Sequence, residues 1–332
     1  MKMTGLIKGI KRIKALKIVK HILEDRISAV KLKAGRYVFH IGSTHKGFSL
    51  QESVSYINTV YDDYLRYAGL GEADLSGKNI LEIGPGDNMG VALKFIADGA
   101  AKVVCIDRIY PSRDKRQQHR IYLALRDRLS REEKERFDSA VTLKDGKVRF
   151  CDDKIKYIYG VDIKDAGKAI KGENFDLIIS RAALEHVYDV DSAIGVMDGY
   201  LRKGGYHIHK VDLRDHGMFT RDGGNPFSFL TIPAFTWGLM TKHCGKPNRK
   251  RADFFEKKFK ELGYDYNVWI THLMTRADEI MPHKKQITKV IDYNNEDIKV
   301  IDTIRSGFSA EFKRISDENL LIGGIFIVAR KV

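Results

Sequence analysis

The stretch from Lys78 to Gly90 constrains the fold more than any other part of this chain. It opens with a short apolar run rich in β-branched residues, and the run ends at Gly84-Pro85-Gly86. This pattern predicts a buried strand that stops in a tight turn. Asp87 or Asn88 can cap a helix after the turn, and Gly99 can end that helix in a left-handed conformation. We therefore expect a strand, a glycine turn and a helix here.

The spacing of the glycines distinguishes two kinds of nucleotide-binding turn. Dinucleotide folds carry G-x-G-x-x-G, whose third glycine lets the helix pack closely on the strand. Met89 occupies that third position here, so the fingerprint fails. The run from Glu82 to Gly86 instead resembles the first motif, E/D-x-G-x-G, of class I S-adenosylmethionine (SAM) dependent methyltransferases. This resemblance implies that SAM is the cofactor and is bound by Glu82, Gly84, Pro85, Gly86 and Asn88.

Composition restricts the size of the fold and its compartment. A chain of 332 residues with 43% apolar residues can bury one large α/β domain with additions, or two small domains. The three cysteines lie far apart without a C-x-x-C pair, which fits neither a disulfide framework nor a zinc site. No apolar run reaches the roughly 18 residues that span a bilayer, and no signal-peptide core is visible. These features predict a cytoplasmic protein.

The net charge of +14 is concentrated in an N-terminal arm, residues 1–48. The arm holds twelve Lys or Arg against Glu24 and Asp25, so it accounts for +10 of the total. Its first residues place apolar side chains on one helical face and basic side chains on the other: Met3, Leu6, Ile7, Ile10 and Ile13 against Lys8, Lys11 and Arg12. Such a helix can lie on an anionic membrane surface, here the inner face, or contact phosphates. Packing on the protein's own body is the alternative.

A second helix is predicted to begin with the capping box Ser49-Leu50-Gln51-Glu52, in which each end residue serves the other's backbone N–H. Its broad apolar face should cover one edge or mouth of the sheet. Helices of this kind close over the methionine end of SAM in class I methyltransferases. The resemblance therefore implies that His45 and Tyr56 line the site, with core or surface roles as the alternative.

Two acidic residues follow predicted strands at places where a nucleoside can bind. Asp107 ends the second strand and lies about 20 residues after Gly84. At this spacing an acid can accept hydrogen bonds from both ribose hydroxyls. A solvated Asp at a strand end is the alternative, and a ribose diol does not separate SAM from NAD. Asp162 stands at the carboxyl end of the predicted third strand, 156–163, and the resemblance implies that it contacts adenine. Asp165 and the pair Asp152-Asp153 compete for that assignment.

The segment from Asn174 to Val187 makes the resemblance more specific. Its F-D-L-I-x-S and L-E-H-V runs resemble the fourth strand and following segment of small-molecule O-methyltransferases of the ubiquinone-biosynthesis type, with a methyltransferase type 11/12 domain. The similarity covers roughly Gln51 to Val211 and the C-terminal strand. It implies that Ser180 belongs to the cofactor site. His186 is either a base or a histidine held by the loop backbone, and Asp176 is expected to be structural.

The predicted fifth strand, 206–213, has an unusual density of titratable residues at its carboxyl end. His207 and His209 share one face by the period of two, and five charged or ionisable residues follow: Lys210, Asp212, Arg214, Asp215 and His216. Burying such groups without partners is costly, so packing alone does not explain them.

Three interpretations of this cluster stay open. His216 or His209 can act as a general base that Asp212 or Asp215 orients. Alternatively, Asp212, Asp215 and a histidine can hold a divalent metal, or the whole cluster can be an internal ion-pair network. No H-x-x-x-H or clustered-carboxylate motif fixes a metal geometry, so we assign no metal.

The resemblance implies an α/β fold: a Rossmann-like, doubly wound, seven-stranded sheet with an antiparallel last strand. Residues 49–332 would form this methyltransferase domain, with mostly helical insertions at about 108–150, 217–250 and 274–317. The basic run Asn248–Arg251 can bind an anionic group or begin a solvated helix.

Features absent from the sequence narrow the methyl acceptor. The N/D-P-P-Y/F motif of amino-group methyltransferases is replaced after the fourth strand by residues 180–183, Ser-Arg-Ala-Ala, and no cysteine stands there for a covalent cytosine mechanism. We therefore expect methylation of an oxygen of a small molecule, a glycan or a lipid-linked intermediate. A nucleic-acid methyltransferase or binder that uses the basic arm, and a non-catalytic SAM-binding module, are the alternatives.

Overall fold

The computed structural model describes residues 2–36, 38–39, 44–221 and 223–332, and for residues 2–13 and 38–39 it describes the backbone alone. The predicted amphipathic face of residues 3–13 therefore lies outside the described side chains. None of the described helices combines the length and the apolar composition that a bilayer crossing requires.

Eight strands form the main sheet, in the order β7-β6-β8-β5-β4-β1-β2-β3. In chain order they are β1 (Asn79–Ile83), β2 (Lys102–Asp107), β3 (Ile155–Tyr159), β4 (Phe175–Arg181), β5 (Leu201–Asp212), β6 (Tyr264–Leu273), β7 (Glu279–Lys284) and β8 (Ile322–Lys331). Strands β1 to β5 are mutually parallel where they pair, whereas β8 is antiparallel to both β5 and β6. Three of the parallel strands, β1, β2 and β4, are short and deeply buried, as expected for a sheet covered on both faces.

The described residues form ten α-helices besides this sheet. They are α1 (Lys2–Lys33), α2 (Leu50–Ala68), α3 (Gly90–Ala97), α4 (Lys115–Arg126), α5 (Arg131–Ala140), α6 (Val190–Tyr200), α7 (Ala234–Thr241), α8 (Ala252–Glu261), α9 (Asn295–Arg305) and α10 (Asp317–Leu321). Alternate residues of β1 face opposite layers: Ile80 packs with α2 to α5, and Leu81 packs with α6 and α8. The prediction of a doubly wound α/β sheet is thus confirmed.

The sheet has one strand more than predicted. Glu279–Lys284 lies in the segment expected to be a mostly helical insertion, yet it pairs antiparallel with β6 as the edge strand β7. Half of its residues are exposed, none is buried, and it contains Pro282, so neither apolar alternation nor β-propensity distinguished it from a loop. The insertion predicted between β2 and β3 contains two helices rather than one, followed by the expected hairpin of Val141–Lys144 and Lys147–Phe150.

The capping box predicted at Ser49 is present, whereas the N-cap residue of α3 is Met89 rather than Asp87 or Asn88. Ser49 Oγ accepts a hydrogen bond from the N–H of Glu52 at 3.2 Å, and the Glu52 carboxylate accepts from the N–H of Ser49 at 2.7 Å. Asp176 has the expected structural function, because it accepts from the N–H of Asn79 at 2.8 Å and from Arg202 at 2.6 Å. These bonds fix the amino ends of β1, β4 and β5 relative to one another.

Helix α1 extends much further than the short helix predicted for the arm, and its described inner face packs on the body. The buried carboxylate of Asp25 accepts hydrogen bonds from the backbone N–H groups of His243 at 2.6 Å and Cys244 at 3.1 Å. Glu24 binds Lys246, and the His21 ring lies edge-on to Phe219 with centroids 6.1 Å apart. Residues 14–33 therefore pack on the body of the protein.

The basic run 248–251 is internal and does not provide an anion site. Arg249 donates to the carbonyl of Phe229 at 3.0 Å and to Glu311 at 2.7 Å. Arg251, with 1% of its surface exposed, donates to the carbonyls of Leu213 at 2.8 Å and Leu320 at 2.9 Å. Both guanidinium groups thus satisfy buried carbonyl groups, and both interpretations from the sequence are wrong for these two arginines.

Candidate active site

A cleft of about 470 Å³ opens at the carboxyl ends of β1, β2 and β4, where open α/β sheets bind ligands. Predicted site residues that line it are Gly84, Gly86, Asp107, Asp162, His186 and His216. Ala183 and the loop 243–247 complete its wall. Residues that end or follow five separate strands, β1 to β5, therefore meet in one cavity.

The turn after β1 brings the backbone unusually close to the segment after β4. Gly84 and Gly86 have positive φ angles, +70° and +71°, which non-glycine residues rarely adopt. A Cβ atom at position 84 would lie only 2.7 Å from the Cβ of Ala183. Glycine at position 84 therefore leaves a backbone surface that a side chain would fill.

Asp107 is held at the tip of β2, with 8% of its surface exposed. Its Oδ2 accepts a hydrogen bond from the Tyr157 hydroxyl at 2.9 Å, and Nη2 of Arg113 lies 4.0 Å away. Arg113 also donates to the carbonyl of Gly86 at 2.9 Å, so it couples the glycine turn to the carboxylate. Burial raises the pKa of Asp107 to about 7. Sequence reasoning missed Arg113 because it lies in the charged insertion, where nothing distinguishes it from its neighbours.

The remaining motif residues support the turn. Glu82, Pro85 and Asn88 lie beside the cleft without lining it. Glu82 is buried against the Cys105 thiol, whose Sγ lies 3.5 Å from its carboxylate, and burial raises the pKa of Glu82 to about 7. Asn88 Oδ1 accepts from the N–H of Gly90 at 2.7 Å, at the start of α3.

The two residues expected at the methionine end of the cofactor also support the turn. The backbone N–H of His45 donates to the Asp87 carboxylate at 3.2 Å, and the His45 ring packs edge-on to Tyr56 with centroids 5.6 Å apart. Neither His45 nor Tyr56 lines the cleft.

Among the candidate adenine acids, only Asp162 lies in the cleft. Its carboxylate accepts from the N–H of Lys164 at 3.3 Å, and Nε of Arg108 lies 3.6 Å away. Asp165, Asp152 and Asp153 are exposed to solvent.

Ser180 and His209 are not brought to the cleft. Both are fully buried inside the sheet, where Ser180 Oγ and His209 Nδ1 lie 2.8 Å apart. His207 Nδ1 lies 3.1 Å from His209 Nε2, and the His207 ring packs on Phe259 of α8. Because α8 covers this face of β5, the histidine pair forms an internal network. Burial lowers the pKa of His209 well below its ordinary value.

His186 and His216 face each other across the cleft wall, with ring centroids 4.8 Å apart at 73°. Burial lowers the pKa of His186 to about 4 and also lowers the pKa of His216. Both imidazoles are therefore neutral at pH 7 and able to accept a proton. His216 has a φ of +50°, a conformation that costs energy outside glycine and is concentrated at functional sites.

The two aspartates of the cluster have different functions. Asp212 binds Arg214 through both carboxylate oxygens, and its Oδ2 lies 3.9 Å from His216 Nε2. Asp215 is 2% exposed and accepts from the N–H groups of Gly217 at 2.9 Å and Phe219 at 2.7 Å. Asp215 therefore shapes the turn that presents His216, and it is not placed to orient an imidazole or bind a metal in the cleft.

Glu185 is a buried carboxylate that sequence reasoning missed, although it lies in the L-E-H-V run. Its Oε1 accepts from the N–H of Asp212 at 3.3 Å, and its Oε2 has no partner among the described residues. Burial raises the pKa of Glu185 to about 8. Ligand atoms of Glu185, His186 and His216 lie within 4.8 Å of one another, so these three side chains can also hold a cation.

The far wall of the cleft is the loop 243–247, which is hydrogen-bonded to α1. Asn248 donates to the carbonyls of Leu184 at 2.8 Å and Val187 at 2.9 Å, which fixes the loop to the segment bearing His186. Arg108 donates to the carbonyl of Lys242 at 2.9 Å from the β2 side. Together with Asp25 of α1, these bonds hold the loop over the cleft.

The raised pKa values predict that the ligand-free protein is less stable at pH 8.5 than at pH 6.5. Glu82, Asp107 and Glu185 keep their protons in the folded state up to pH 7 or 8, whereas in the unfolded chain they are already ionised above about pH 5. The free energy of unfolding should therefore fall by about 2–4 kcal/mol as pH rises across this window. Below pH 6.5 the buried neutral His45 and His186 oppose this trend, because they gain protons on unfolding.

Urea unfolding at the two pH values, with chelator present, measures this difference. Glu185→Gln should remove the largest share of it, since Glu185 has the highest of the three pKa values. Glu135→Gln, at an exposed position on α5, is the matched control and should leave the difference unchanged. Equal stability at both pH values would contradict the assignment.

Comparison with known proteins gives one family match. A family model described as a methyltransferase domain matches residues 54–267. No curated protein matches the sequence significantly.

Several solved structures resemble the chain weakly. They include phosphoethanolamine N-methyltransferase 2 of Haemonchus contortus in complex with SAM (16% identity, TM-score 0.41, covering 84% of this chain and 56% of that one). A cyclopropane-fatty-acyl-phospholipid synthase-like protein of Lactobacillus casei ATCC 334 has 11% identity and a TM-score of 0.41, covering 84% of this chain and 98% of that one. An arsenic(III) SAM methyltransferase of Chlamydomonas reinhardtii has 16% identity and a TM-score of 0.36, covering 82% and 71%. Because the methyltransferase-domain model matches more than half of the sequence, the chain belongs to that family and is a class I SAM-dependent methyltransferase.

Proposed function

We propose that this enzyme transfers the methyl group of SAM to an oxygen of a small molecule, a glycan or a lipid-linked intermediate. The observation that supports this most is the pair of neutral imidazoles, His186 and His216, in the same cleft as Gly84 and Asp107. A hydroxyl group is a weak nucleophile until a base takes its proton, and a neutral imidazole is suited to that task.

The proposed cofactor site consists of Gly84, Gly86, Asp107 and Asp162. The glycine turn offers a backbone surface that a Cβ would fill, and Asp107 offers carboxylate oxygens to the ribose hydroxyls. The cleft volume, about 470 Å³, is in the range of small-molecule sites. When bound, SAM supplies a methyl group activated by the positive sulfonium.

The residues of the chain then have to align the acceptor, remove its proton and exclude water. We assign His216 as the base that accepts the proton of the acceptor hydroxyl. We assign Asp212 to stabilise the imidazolium that forms, since its carboxylate lies 3.9 Å from the ring. The loop 243–247, which Asp25 of α1 holds in place, walls one side of the site, and this reduces the access of water to it.

An oxygen acceptor is favoured by the segment after β4. Its Ser-Arg-Ala-Ala sequence at 180–183 lacks the amide and aromatic side chains that amino-group methyltransferases use there. The narrower resemblance to ubiquinone-biosynthesis O-methyltransferases stays a prediction.

A metal-assisted variant of the same reaction is supported by Glu185, His186 and His216. A divalent cation at this cluster would lower the pKa of an acceptor hydroxyl directly. Chelation distinguishes the two: it should leave turnover intact if His216 acts as the base, and it should abolish turnover, but not SAM binding, if a cation is required.

Two measurements test the proposed function. Calorimetry should detect binding of SAM and of S-adenosylhomocysteine, and no comparable binding of NADH. Incubation of the protein with methyl-labelled SAM and cell extract, followed by separation, should place the label in the lipid, glycan or small-molecule fraction. Label confined to nucleic acid or protein would contradict an oxygen acceptor of these classes, and SAM binding with no labelled fraction would favour the non-catalytic module.

A further inference from the structure

Helix α1 exposes a continuous apolar stripe on its outer face. Each of its five members has more than half of its surface exposed: Leu16 (63%), Val19 (54%), Leu23 (58%), Ile27 (56%) and Val30 (67%). They recur at intervals of three and four residues, so they lie along one side of the helix. Five of the thirteen large apolar side chains that are exposed among the described residues belong to this stripe, so it is not ordinary surface scatter.

The stripe is not the face by which α1 packs on the protein. His21, Asp25 and Ser28 are buried, and Asp25 makes the hydrogen bonds to the loop 243–247 described above. The outer face therefore has no partner among the described residues, and its helix is anchored to the body from the opposite side.

Charge distinguishes which partner the stripe fits. Of the two acids in the N-terminal 48 residues, Asp25 is buried and bonded to His243, whereas Glu24 is partly exposed between Lys246 and Lys20. Cations border the stripe directly, with Lys20 on one side and Arg26 on the other. An apolar stripe bordered by cations matches the boundary between anionic lipid headgroups and acyl chains.

A second copy of the chain fits this surface poorly. In the repeat formed by positions 16, 19, 23, 26 and 30, Arg26 occupies a place that a paired helix would need to be apolar. A bilayer tolerates both Lys20 and Arg26, because long cationic side chains reach back to the headgroups.

We propose that α1 docks the enzyme on an anionic lipid bilayer through the stripe Leu16–Val30. The same helix fixes one wall of the cleft through Asp25, so docking brings a lipid surface to the element that borders the acceptor side. This position fits a lipid-linked acceptor. That inference about the acceptor rests on the proposed function, whereas the proposed docking is independent of it.

The test is sedimentation of the full chain with vesicles, in the absence of SAM. Vesicles of phosphatidylcholine and phosphatidylglycerol, 3:1, should bind the protein, and phosphatidylcholine alone should bind it at least about tenfold more weakly. Leu23→Ser with Ile27→Ser should weaken binding to the anionic vesicles by about tenfold or more, without changing the thermal melting temperature. Val290→Ser with Ile291→Ser, at positions 86% and 74% exposed near α9, is the matched control.

Three outcomes would overturn the proposal. The first is failure of the unmodified chain to bind anionic vesicles at low salt. The second is equal binding by the Leu23→Ser, Ile27→Ser variant. The third is light scattering that detects a dimer which this variant dissociates, with no vesicle binding by either protein. Because the assay contains no SAM, none of these outcomes depends on whether the methyl-transfer proposal holds.

Discussion

Asp107→Ala is expected to weaken the binding of SAM and of S-adenosylhomocysteine by about a hundredfold or more. The substitution removes the carboxylate that we assign to both ribose hydroxyls, and two hydrogen bonds to a charged acceptor contribute about 3–4 kcal/mol together. Asp107→Asn keeps one acceptor oxygen and should lose less. Calorimetry measures both, and Asp165→Ala, at an exposed position beyond the cleft, should bind as the unmodified protein does.

The affinity should also depend on pH in a direction that the burial of Asp107 dictates. Burial raises the pKa of this carboxyl to about 7, so at pH 6 most molecules without ligand carry a proton there. That proton has to leave before both oxygens can accept hydroxyl groups, so affinity should rise from pH 6 to pH 8 and then level off. The rise should be absent in Asp107→Asn. Unchanged affinity in Asp107→Ala, or a flat pH profile in the unmodified protein, would refute the assignment.

His216→Asn is expected to lower kcat by about 10²- to 10⁴-fold, the usual contribution of a positioned base. Asparagine is the suitable replacement because it tolerates the left-handed backbone that His216 adopts, at a φ of +50°. The affinity for SAM should change little, since Asp107 and the glycine turn remain. His119→Asn on α4, outside the cleft, is the control.

The pH profile of turnover separates a base from a structural residue. Burial lowers the pKa of His216, so the neutral, active form should persist below the pH at which an ordinary histidine gains its proton. Activity should therefore fall only on the acidic side of that ordinary value. Wild-type kcat in His216→Asn would exclude this histidine as the base, and loss of activity that chelation reproduces in the unmodified protein would favour the cation cluster.

The parallel core of the sheet could be predicted because its signals are local. Ile80, Leu81 and Ile83 form an apolar run that glycines stop, and Asp107 follows at a spacing set by one strand, one helix and one turn. Each of these features depends on a few consecutive residues and on geometry that parallel α/β units share.

The polar interior could not be predicted in the same way. Arg251 appears in the sequence as one of four consecutive polar residues, yet it satisfies carbonyls of Leu213 and Leu320 that lie far away in the chain. His207 and His209 share a face by periodicity, but whether that face meets substrate or α8 is decided by a helix that follows 40 residues and more later. Partners that are distant in sequence leave no local pattern.

The candidate site shows both limits together. Glu185 is adjacent to His186 in the sequence. Its burial depends on β5, which places the backbone of Asp212 beside it, and the sequence around Glu185 does not reveal this contact. Arg113 lies in a charged insertion, and its contact with Gly86 depends on how that insertion folds back over the turn. Sequence motifs identified the cleft residues at the ends of the strands, whereas the loop 243–247 and Arg113 belong to insertions without a recognisable motif.

The hydrogen bonds between Asp25 and His243 join positions 218 residues apart. During synthesis the first helix leaves the ribosome long before its partner loop exists, and the carboxylate of Asp25 then faces water. The cleft wall formed by the loop 243–247 can therefore assemble only after a further 218 residues beyond Asp25 have been translated.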